Sequence, residues 1–149
     1  MTPHDFAQHV LSLQPFSRQL GTELLEASSD GVVFALDVTQ AHLQQHGIVH
    51  GGVLSALADM ALAFAGGMAM GSDVVTSEFK INFVAPARGT RLLVDGKVLG
   101  MSARQAVVQA RISSFRDGEE TLCCVAQGTI TRVKGVVPEA AMNLAPQTA

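Results

Sequence analysis

The first forty residues combine short hydrophobic patterns with turn signals. Residues 5–13 show helical spacing and stop before a proline, which predicts a short amphipathic helix. Residues 22–27 can form a strand, and Asp30-Gly31 is a typical hairpin turn. Residues 32–38 alternate between bulky apolar and smaller or polar side chains, as a half-buried strand does. The region therefore predicts a short helix followed by a β-hairpin.

A long, almost wholly apolar segment covers residues 53–70 and follows a loop rich in glutamine and histidine at residues 39–49. Its length favours a helix over a strand and approaches that of a membrane span. Asp59 near its middle, its many Ala and Gly residues and its lack of flanking Lys or Arg argue against a span. Gly66-Gly67 indicates weakening or close packing near the helix end. We therefore predict a buried helix and no membrane contact.

From residue 74 onward the period of the pattern changes to two, which is typical of strands. Further strands are predicted over residues 91–99, 105–115 and 121–133, with a turn at residues 86–89 and an Asp117-Gly118 hairpin. Strict alternation predicts two faces for the strand that starts at residue 74. One face holds Ser77, Phe79, Ile81 and Phe83, and the other holds Thr76, Glu78, Lys80 and Asn82.

The order of these elements predicts an α+β fold. Hairpins join most of the strands, which favours an antiparallel sheet over a parallel one. A helix that is apolar on all sides must be covered on all sides, and a curved antiparallel β-sheet wrapped around a long central helix does this. The length of 149 residues predicts a single domain over residues 1–149. Its core spans about residues 21–133, and the tail, residues 134–149, has no pattern and is expected to be poorly ordered.

The formal net charge of the chain is −3, and it contains no basic run. This balance gives no support to nucleic-acid binding. The N-terminal residues lack the basic and apolar regions of a secretory signal, so we expect a cytoplasmic protein. The basic side chains that could hold a phosphorylated ligand are Arg88, Arg91, Lys97, Arg104 and Arg111.

The cysteines and histidines form no metal-binding pattern. Cys123 and Cys124 are adjacent in a predicted strand, so their side chains are expected on opposite faces, where they serve packing. His42 and His46 lie four positions apart, but in a loop instead of a metal-binding helix. We predict neither a metal site nor a redox cofactor.

The candidate chemistry lies where the loop meets the apolar helix. His50 precedes Gly51-Gly52, and glycine lets a ligand approach the backbone closely. The first turn of a helix has free N–H groups and a partial positive charge, which can stabilise the oxyanion formed in acyl transfer. Asp59 is the only charged residue between His50 and Asp73, and a poorly solvated carboxylate is a stronger base or nucleophile. Singly, the glycines can be a turn and His50 a capping or packing residue, but together with Asp59 they favour a catalytic site.

The spacing of this set predicts a homodimer. Gly51 and Asp59 are eight positions apart, which is roughly 12 Å along one helix. A reacting carbonyl must lie about 3 Å from both its hydrogen-bond donor and its attacking group. One helix cannot easily supply both groups, whereas two antiparallel helices related by a two-fold axis can. We therefore expect Gly51 of one chain to face Asp59 of the other.

Three features together resemble the PaaI-type hotdog thioesterases of the 4-hydroxybenzoyl-CoA thioesterase-like superfamily. They are His50-Gly51-Gly52, Asp59 seven positions after Gly52, and the strand that ends in Ile-Asn-Phe-Val-Ala-Pro-Ala at residues 81–87. The similarity runs from about residue 21 to residue 133. It implies the hotdog fold, a homodimer that commonly pairs into a homotetramer, and hydrolysis of acyl-CoA or aryl-CoA thioesters, with coenzyme A present only as part of the substrate.

The resemblance also implies roles for individual residues. Asp59 is the general base or nucleophile, the Gly51 N–H polarises the thioester carbonyl, and His50 shapes that end of the site. Gln44 stands six positions before His50, where relatives place an Asn or Gln that contacts the thioester or the attacking water, and many PaaI-type members have Asn there. The further candidates for substrate contact are Gly52, the strand hydroxyls Thr76 and Ser77, and, for the CoA phosphates, Arg88 and Arg104.

Alternatives stay open at this point. Asp59 can activate water, or it can attack the carbonyl and form a mixed anhydride. His50 and Asp59 could instead serve a hotdog hydratase or dehydratase that removes a proton from carbon. A non-catalytic acyl-CoA-binding module would bind ligand without turnover, and the short, non-basic N-terminal segment argues against its regulatory, DNA-binding form.

Overall fold

The computed structural model describes residues 1–134. The predicted disorder of the tail therefore concerns residues that lie, apart from residue 134, outside the described part. The helices are α1 (Pro3–Ser12), α2 (Pro15–Leu20) and α3 (Gly51–Met70), with a 3-10 turn, η1, at Gln40–His42. The strands are β1 (Thr22–Ala27), β2 (Gly31–Asp37), β3 (Val74–Phe83), β4 (Arg91–Met101), β5 (Gln105–Arg116) and β6 (Glu119–Arg132).

The six strands form one antiparallel sheet in the order β1-β2-β4-β5-β6-β3. Helix α3 packs against β2 through β6, so the sheet curves around it. The hydrophobic core lies between them, and its largest fully buried side chains include Phe34, Leu57, Leu62, Val94 and Ile112. The predicted α+β fold, with a curved antiparallel sheet around a long central helix, is confirmed.

Helix α3 is long and apolar enough to cross a membrane by length and composition alone. Leu57, Ala58, Ala61 and Leu62 on this helix are completely buried by the sheet. A helix whose apolar side chains already pack against protein has little surface left for lipid. The helix is therefore the core helix of a folded domain.

Glycines let the helix and the sheet approach closely. A Cβ atom built on Gly96 of β4 would lie 2.7 Å from the carbonyl oxygen of Ala61. One built on Gly66 of α3 would lie 2.7 Å from the side chain of Ile130. The close packing predicted at Gly66 is confirmed, and α3 continues past it to Gly71, which has a φ of 60° and ends the helix.

The N-terminal region contains a helix that the pattern did not predict. Pro15 was expected only to end the preceding helix, but it occupies the first position of α2. Proline is favoured there because the first helical N–H has no partner within the helix and the ring already fixes a helical φ. Six residues are too few to show a helical period, so the signal at this position was the proline itself.

The prediction of which β3 side chains share a face of the sheet is wrong for the residues before Phe79. A β-bulge between Thr76 and Glu78 leaves Ser77 without a partner residue on β6. Thr76, Phe79 and Ile81 are half-buried, whereas Ser77 is exposed. Thr76 therefore shares the inner face with Phe79, because one extra residue reverses the alternation on one side of a bulge.

A second bulge lies in β6 at the cysteine pair. Ile112 pairs with Cys124 and Ser113 with Leu122, so Cys123 is the extra residue. Both thiols are free and buried. Their predicted packing role is confirmed. The expected strict alternation is broken, because two adjacent side chains at a bulge need not point to opposite faces of the sheet.

Candidate active site

The chain enters α3 through a small hairpin-like loop. Leu43 and Val49 form an isolated antiparallel bridge, and the Gln44 N–H donates to the carbonyl oxygen of Ile48 at 2.9 Å. The Val49 N–H donates to the carbonyl oxygen of Ala87 at 3.0 Å, which ties the loop to the segment after β3. The half-buried Gln44 is thereby fixed on the loop that ends at His50.

His50 caps the N-terminus of α3 with both its side chain and its main chain. Its Nδ1 accepts a hydrogen bond from the Gly52 N–H at 2.8 Å. Its carbonyl oxygen accepts from the N–H groups of Val53 at 2.9 Å and Leu54 at 3.3 Å. Because a main-chain N–H can only donate, the neutral ring carries its proton on Nε2. The exposed ring therefore presents a donor to whatever lies in front of the helix.

The capping leaves the Gly51 N–H free. Among residues 1–134 no acceptor lies within hydrogen-bond distance of it, whereas the next three N–H groups of the helix bond to His50. A free N–H at the positive end of a 20-residue helix is suited to bind a carbonyl oxygen that gains negative charge. The two glycines differ in role, since the Gly52 N–H is already engaged in the cap.

Both glycines keep the helix start small. A Cβ on Gly52 would lie 2.9 Å from Nδ1 of His50 and would disturb the cap. A Cβ on Gly51 would lie 3.5 Å from the ring of Phe83, which is ordinary contact distance. Gly52 is therefore required by the cap, and Gly51 leaves room beside Phe83 at the end of β3.

Asp59 lies in the middle of α3 on the face that the sheet does not cover. The residue is half-buried, and its Oδ1 is completely buried with no hydrogen-bond partner within the described chain. Leaving a buried carboxylate oxygen without a donor costs free energy, about 1–3 kcal/mol or more for a charged group. The neighbours on this face are small, half-exposed or exposed residues: Gly52, Ser55, Ala56 and Ala63. The oxygen is thus open to a donor that residues 1–134 do not supply.

One chain does not bring Gly51 and Asp59 together. They lie eight positions apart on the same continuous helix, roughly 12 Å along its axis. That Gly51 of one chain faces Asp59 of another therefore stays a prediction.

The two strand hydroxyls lie towards the C-terminal half of α3. Strand β3 runs antiparallel to the helix, because Val74 contacts the Gly67 end and Phe83 the Gly51 end. Thr76 faces inward and is half-buried. Ser77 faces outward, and its hydroxyl forms a hydrogen bond with that of Thr131. Within one chain neither hydroxyl lies beside Gly51.

The two arginines considered for phosphate binding are far apart in one chain. Arg88 is exposed and follows Ala87, which binds the loop before His50. Arg104 is also exposed, and its carbonyl oxygen accepts from the N–H of Arg132 at 2.9 Å, beside the start of β3. They therefore lie at opposite ends of α3.

The pattern of the sequence missed one buried polar residue near the site. His42 was considered only as a metal ligand, but it is buried and both its ring nitrogens bind the main chain. The signal that could have indicated a structural histidine was its position in a short turn without a second metal-binding residue beside it. Across residues 1–134 no group of three His, Cys, Asp or Glu side chains is placed to hold a metal ion.

Comparison with known proteins places this geometry in a family. A family profile described as the thioesterase superfamily matches residues 46–123, which include His50, Gly51 and Asp59. A Deinococcus radiodurans protein named "Putative esterase" is 30% identical over 118 residues, which cover 78% of each chain.

Solved structures show the same fold. A thioesterase family protein from Silicibacter pomeroyi superposes with a TM-score of 0.82 at 29% identity, and covers 87% of this chain and 96% of its own. The Escherichia coli PaaI protein from the phenylacetic acid degradation operon has a TM-score of 0.75 at 22% identity, with coverage of 90% and 98%. The antiparallel sheet around a central helix is thus the hotdog fold, which the PaaI protein shares, and the predicted resemblance to the hotdog thioesterases is confirmed.

Proposed function

This chain belongs to the thioesterase superfamily, and from that premise we propose that it hydrolyses acyl-CoA or aryl-CoA thioesters to the free acid and CoA. One observation carries the proposal. The same apolar helix holds the Gly51 N–H and a buried carboxylate oxygen of Asp59, and neither forms a hydrogen bond within residues 1–134. These are the two groups that acyl transfer to water requires, an oxyanion donor and a base or nucleophile.

The proposed active form is a homodimer at least, with a homotetramer as a pair of such dimers. In the described part of the chain, strand β3 is at the edge of the sheet and pairs only with β6, and it exposes Val75 and Phe83. A ten-residue edge strand with exposed apolar side chains is open to pairing with another chain. The small residues around Asp59 allow a second helix to approach closely. Both features support a two-fold contact between copies of this chain.

In this dimer two α3 helices run antiparallel, so that Gly51 faces Asp59 of the partner subunit. The thioester carbonyl accepts a hydrogen bond from the Gly51 N–H. Asp59 of the partner subunit removes a proton from water, whose oxygen bonds to the carbonyl carbon, and the C–S bond then breaks to release CoA thiolate, which takes up a proton. Alternatively, Asp59 attacks first and water hydrolyses the mixed anhydride.

Other residues are assigned to substrate contact on the same proposal. The Nε2–H of His50 lies at the Gly51 end, and Gln44 lies on the loop that leads to it; on the proposal, both contact the thioester or the attacking water. Two-fold symmetry would bring the Thr76 and Ser77 end of one chain towards the Gly51 end of its partner. By the same symmetry, Arg88 and Arg104 of different chains would flank one CoA. No metal or redox cofactor enters the proposed reaction.

The first experiment measures release of CoA thiol from a panel of aryl-CoA and straight-chain acyl-CoA thioesters. The wild type is compared with Asp59→Asn and with Asp73→Asn, a control that removes an exposed carboxylate beyond the end of α3. We expect hydrolysis by the wild type and by Asp73→Asn, and a loss of about 10²–10⁴-fold in kcat for Asp59→Asn. Equal turnover by all three proteins would remove Asp59 from the mechanism.

Two other outcomes would replace the proposal. Reversible hydration of an enoyl-CoA without CoA release would identify a hydratase. Tight binding of acyl-CoA without any turnover would identify a binding module. The two routes for Asp59 separate in labelled water, because oxygen-18 that appears in the Asp59 carboxyl after a single turnover excludes pure general-base catalysis.

A further inference from the structure

A buried histidine that the proposed chemistry does not use holds the loop before α3. His42, the last residue of η1, is only 7% exposed. Its Nδ1 accepts a hydrogen bond from the Thr39 N–H at 3.0 Å, and its Nε2 lies 2.9 Å from the carbonyl oxygen of Leu20. Because the Thr39 N–H can only donate, the neutral ring carries its proton on Nε2 and donates it to Leu20. The ring therefore joins the end of α2 to the start of η1.

The main chain of His42 reaches the catalytic loop directly. Its carbonyl oxygen accepts a hydrogen bond from the His50 N–H at 2.8 Å. His50 then caps α3 and leaves the Gly51 N–H free. The peptide groups that carry the His50 N–H and the Gly51 N–H lie on either side of the His50 α-carbon. The direction of the Gly51 N–H therefore depends on where the His42 carbonyl oxygen holds His50.

We propose that His42 is a positioning residue for the Gly51 N–H. Its neutral ring fixes η1 between Leu20 and Thr39, and its carbonyl oxygen transmits that fixed position to His50. The inference rests on the proposed thioester hydrolysis, and it adds a residue that touches no substrate. Small displacements of a donor matter in catalysis, because a shift of about 1 Å at a reacting centre can cost about 100-fold in rate.

A comparison with an apolar side chain and a comparison with His46 both favour this role over simple packing. An apolar side chain of similar size would fill the same space without the cost of burying two polar atoms. His46 lies in the same loop, but it is exposed, and no side-chain hydrogen bond to it occurs within residues 1–134. The loop thus contains one histidine with both ring nitrogens bound and one that solvent surrounds.

The test compares three substitutions that divide the two ring contacts. His42→Phe keeps the ring size and loses both contacts. His42→Asn keeps an acceptor near the position of Nδ1, and His42→Gln keeps a donor near the position of Nε2. His46→Phe is the matched control in the same loop. Ile130→Val, beside Gly66 in the other half of α3, is the control for a general loss of stability.

We expect His42→Phe to lower kcat by about tenfold or more while KM changes by less than about threefold, because a misdirected donor costs most in the transition state, where the carbonyl oxygen carries the most negative charge. His42→Asn should recover most of this loss, because it keeps the Thr39 contact that shapes the turn. His42→Gln should recover less. His46→Phe and Ile130→Val should keep the wild-type kcat, even where Ile130→Val lowers Tm.

A second readout does not need activity. The His50 amide should be protected from hydrogen exchange in the wild type and in His42→Asn, and should exchange at least about tenfold faster in His42→Phe and His42→Gln. If the wild type hydrolyses no thioester, the proposed function fails and the exchange rates still decide the positioning role. If His42→Phe does not fold, the Asn and Gln variants decide it. The proposal would be overturned if His42→Gln, and His42→Phe where it folds, kept the wild-type kcat and the wild-type exchange rate of the His50 amide.

Discussion

The two ends of α3 differ in how their backbone groups are satisfied. At the C-terminal end, Gly71 donates its N–H to Gly67 at 2.9 Å, and the Arg132 guanidinium donates to the Met70 carbonyl oxygen at 3.0 Å. At the N-terminal end, His50 satisfies three N–H groups, and no hydrogen bond from the Gly51 N–H occurs within residues 1–134. Contacts within the chain thus bind carbonyl oxygens at one end, whereas the other end keeps a donor that a ligand could use. On the proposed function, this difference assigns the chemistry to the N-terminal end of the helix, although both halves of the helix pack against the sheet.

The most direct test of the difference between the two helix ends removes the Gly51 N–H and changes nothing else. Gly51→Pro deletes the N–H while it places proline at the first position of a helix, where proline is favoured. His50 already has the extended backbone (φ −62°, ψ 135°) that a residue before proline prefers. We expect kcat to fall by about 10²–10³-fold with Tm unchanged or raised.

Kinetics and thermal melting of Gly51→Pro, with Gly51→Ala as its control, would measure this. The alanine variant keeps the N–H, and its Cβ would lie at an ordinary 3.5 Å from the Phe83 ring. The assignment of the oxyanion donor is lost if the proline and alanine variants turn over equally fast.

The second prediction tests whether the free donor serves the partner chain. A heterodimer of one Gly51→Pro chain and one Asp59→Asn chain has one site with both groups intact and one site with both removed. We expect about half of the wild-type activity per dimer, although each parent homodimer is nearly inactive. Co-expression with two different affinity tags allows this heterodimer to be purified and assayed. Sites built within single chains would give no recovery.

Part of this comparison could be predicted from the sequence. The length of the apolar segment, the period of two and the hairpin dipeptides sufficed for the fold, and the segment predicted over residues 53–70 forms most of α3. The bulge at Ser77 could not be predicted, because a bulge depends on how β3 pairs with β6, a contact between residues far apart in sequence. Free N–H groups in the first turn were predicted, but which of them the His50 side chain binds depends on the orientation of its ring and could not be predicted. His42 was misjudged because its partners, Leu20 and Thr39, give no spacing signal.

A third prediction sharpens the proposed contact between the N-terminal halves of two helices. If Gly51 faces Asp59 of the partner subunit, the two-fold axis passes near Ser55, so half-exposed Ala56 lies close to its own copy. A short bis-maleimide should link Ala56→Cys chains into covalent dimers. Burial raises the pKa of the Cys123 thiol and raises the pKa of Cys124 to about 12, so the native thiols of the folded protein stay protonated and unreactive near pH 8.

Gel electrophoresis under denaturing conditions would count the products of this reaction. Ala69→Cys, at a half-buried position near the other end of α3, is the matched control and should give few linked dimers. Equal linking at both positions would contradict the antiparallel contact at the N-terminal half.

The smallest expected effect on catalysis comes from the C-terminal half, where Gly66 and Gly67 form a matched pair. A Cβ at Gly66 would lie within 2.7–2.9 Å of three atoms of the fully buried Ile130, whereas one at Gly67 would meet only Val74 Cγ2 at 3.3 Å and a main-chain oxygen at 3.7 Å. Gly66→Ala should therefore lower the free energy of unfolding by about 1–3 kcal/mol, since β-branched Ile130 has no room to move. Gly67→Ala should be neutral or stabilising by up to about 1 kcal/mol, because alanine favours a helix more than glycine does. Both variants should keep the wild-type kcat per folded dimer. A loss of kcat in Gly66→Ala, measured where denaturant titration shows it fully folded, would mean that packing at this end also positions the site.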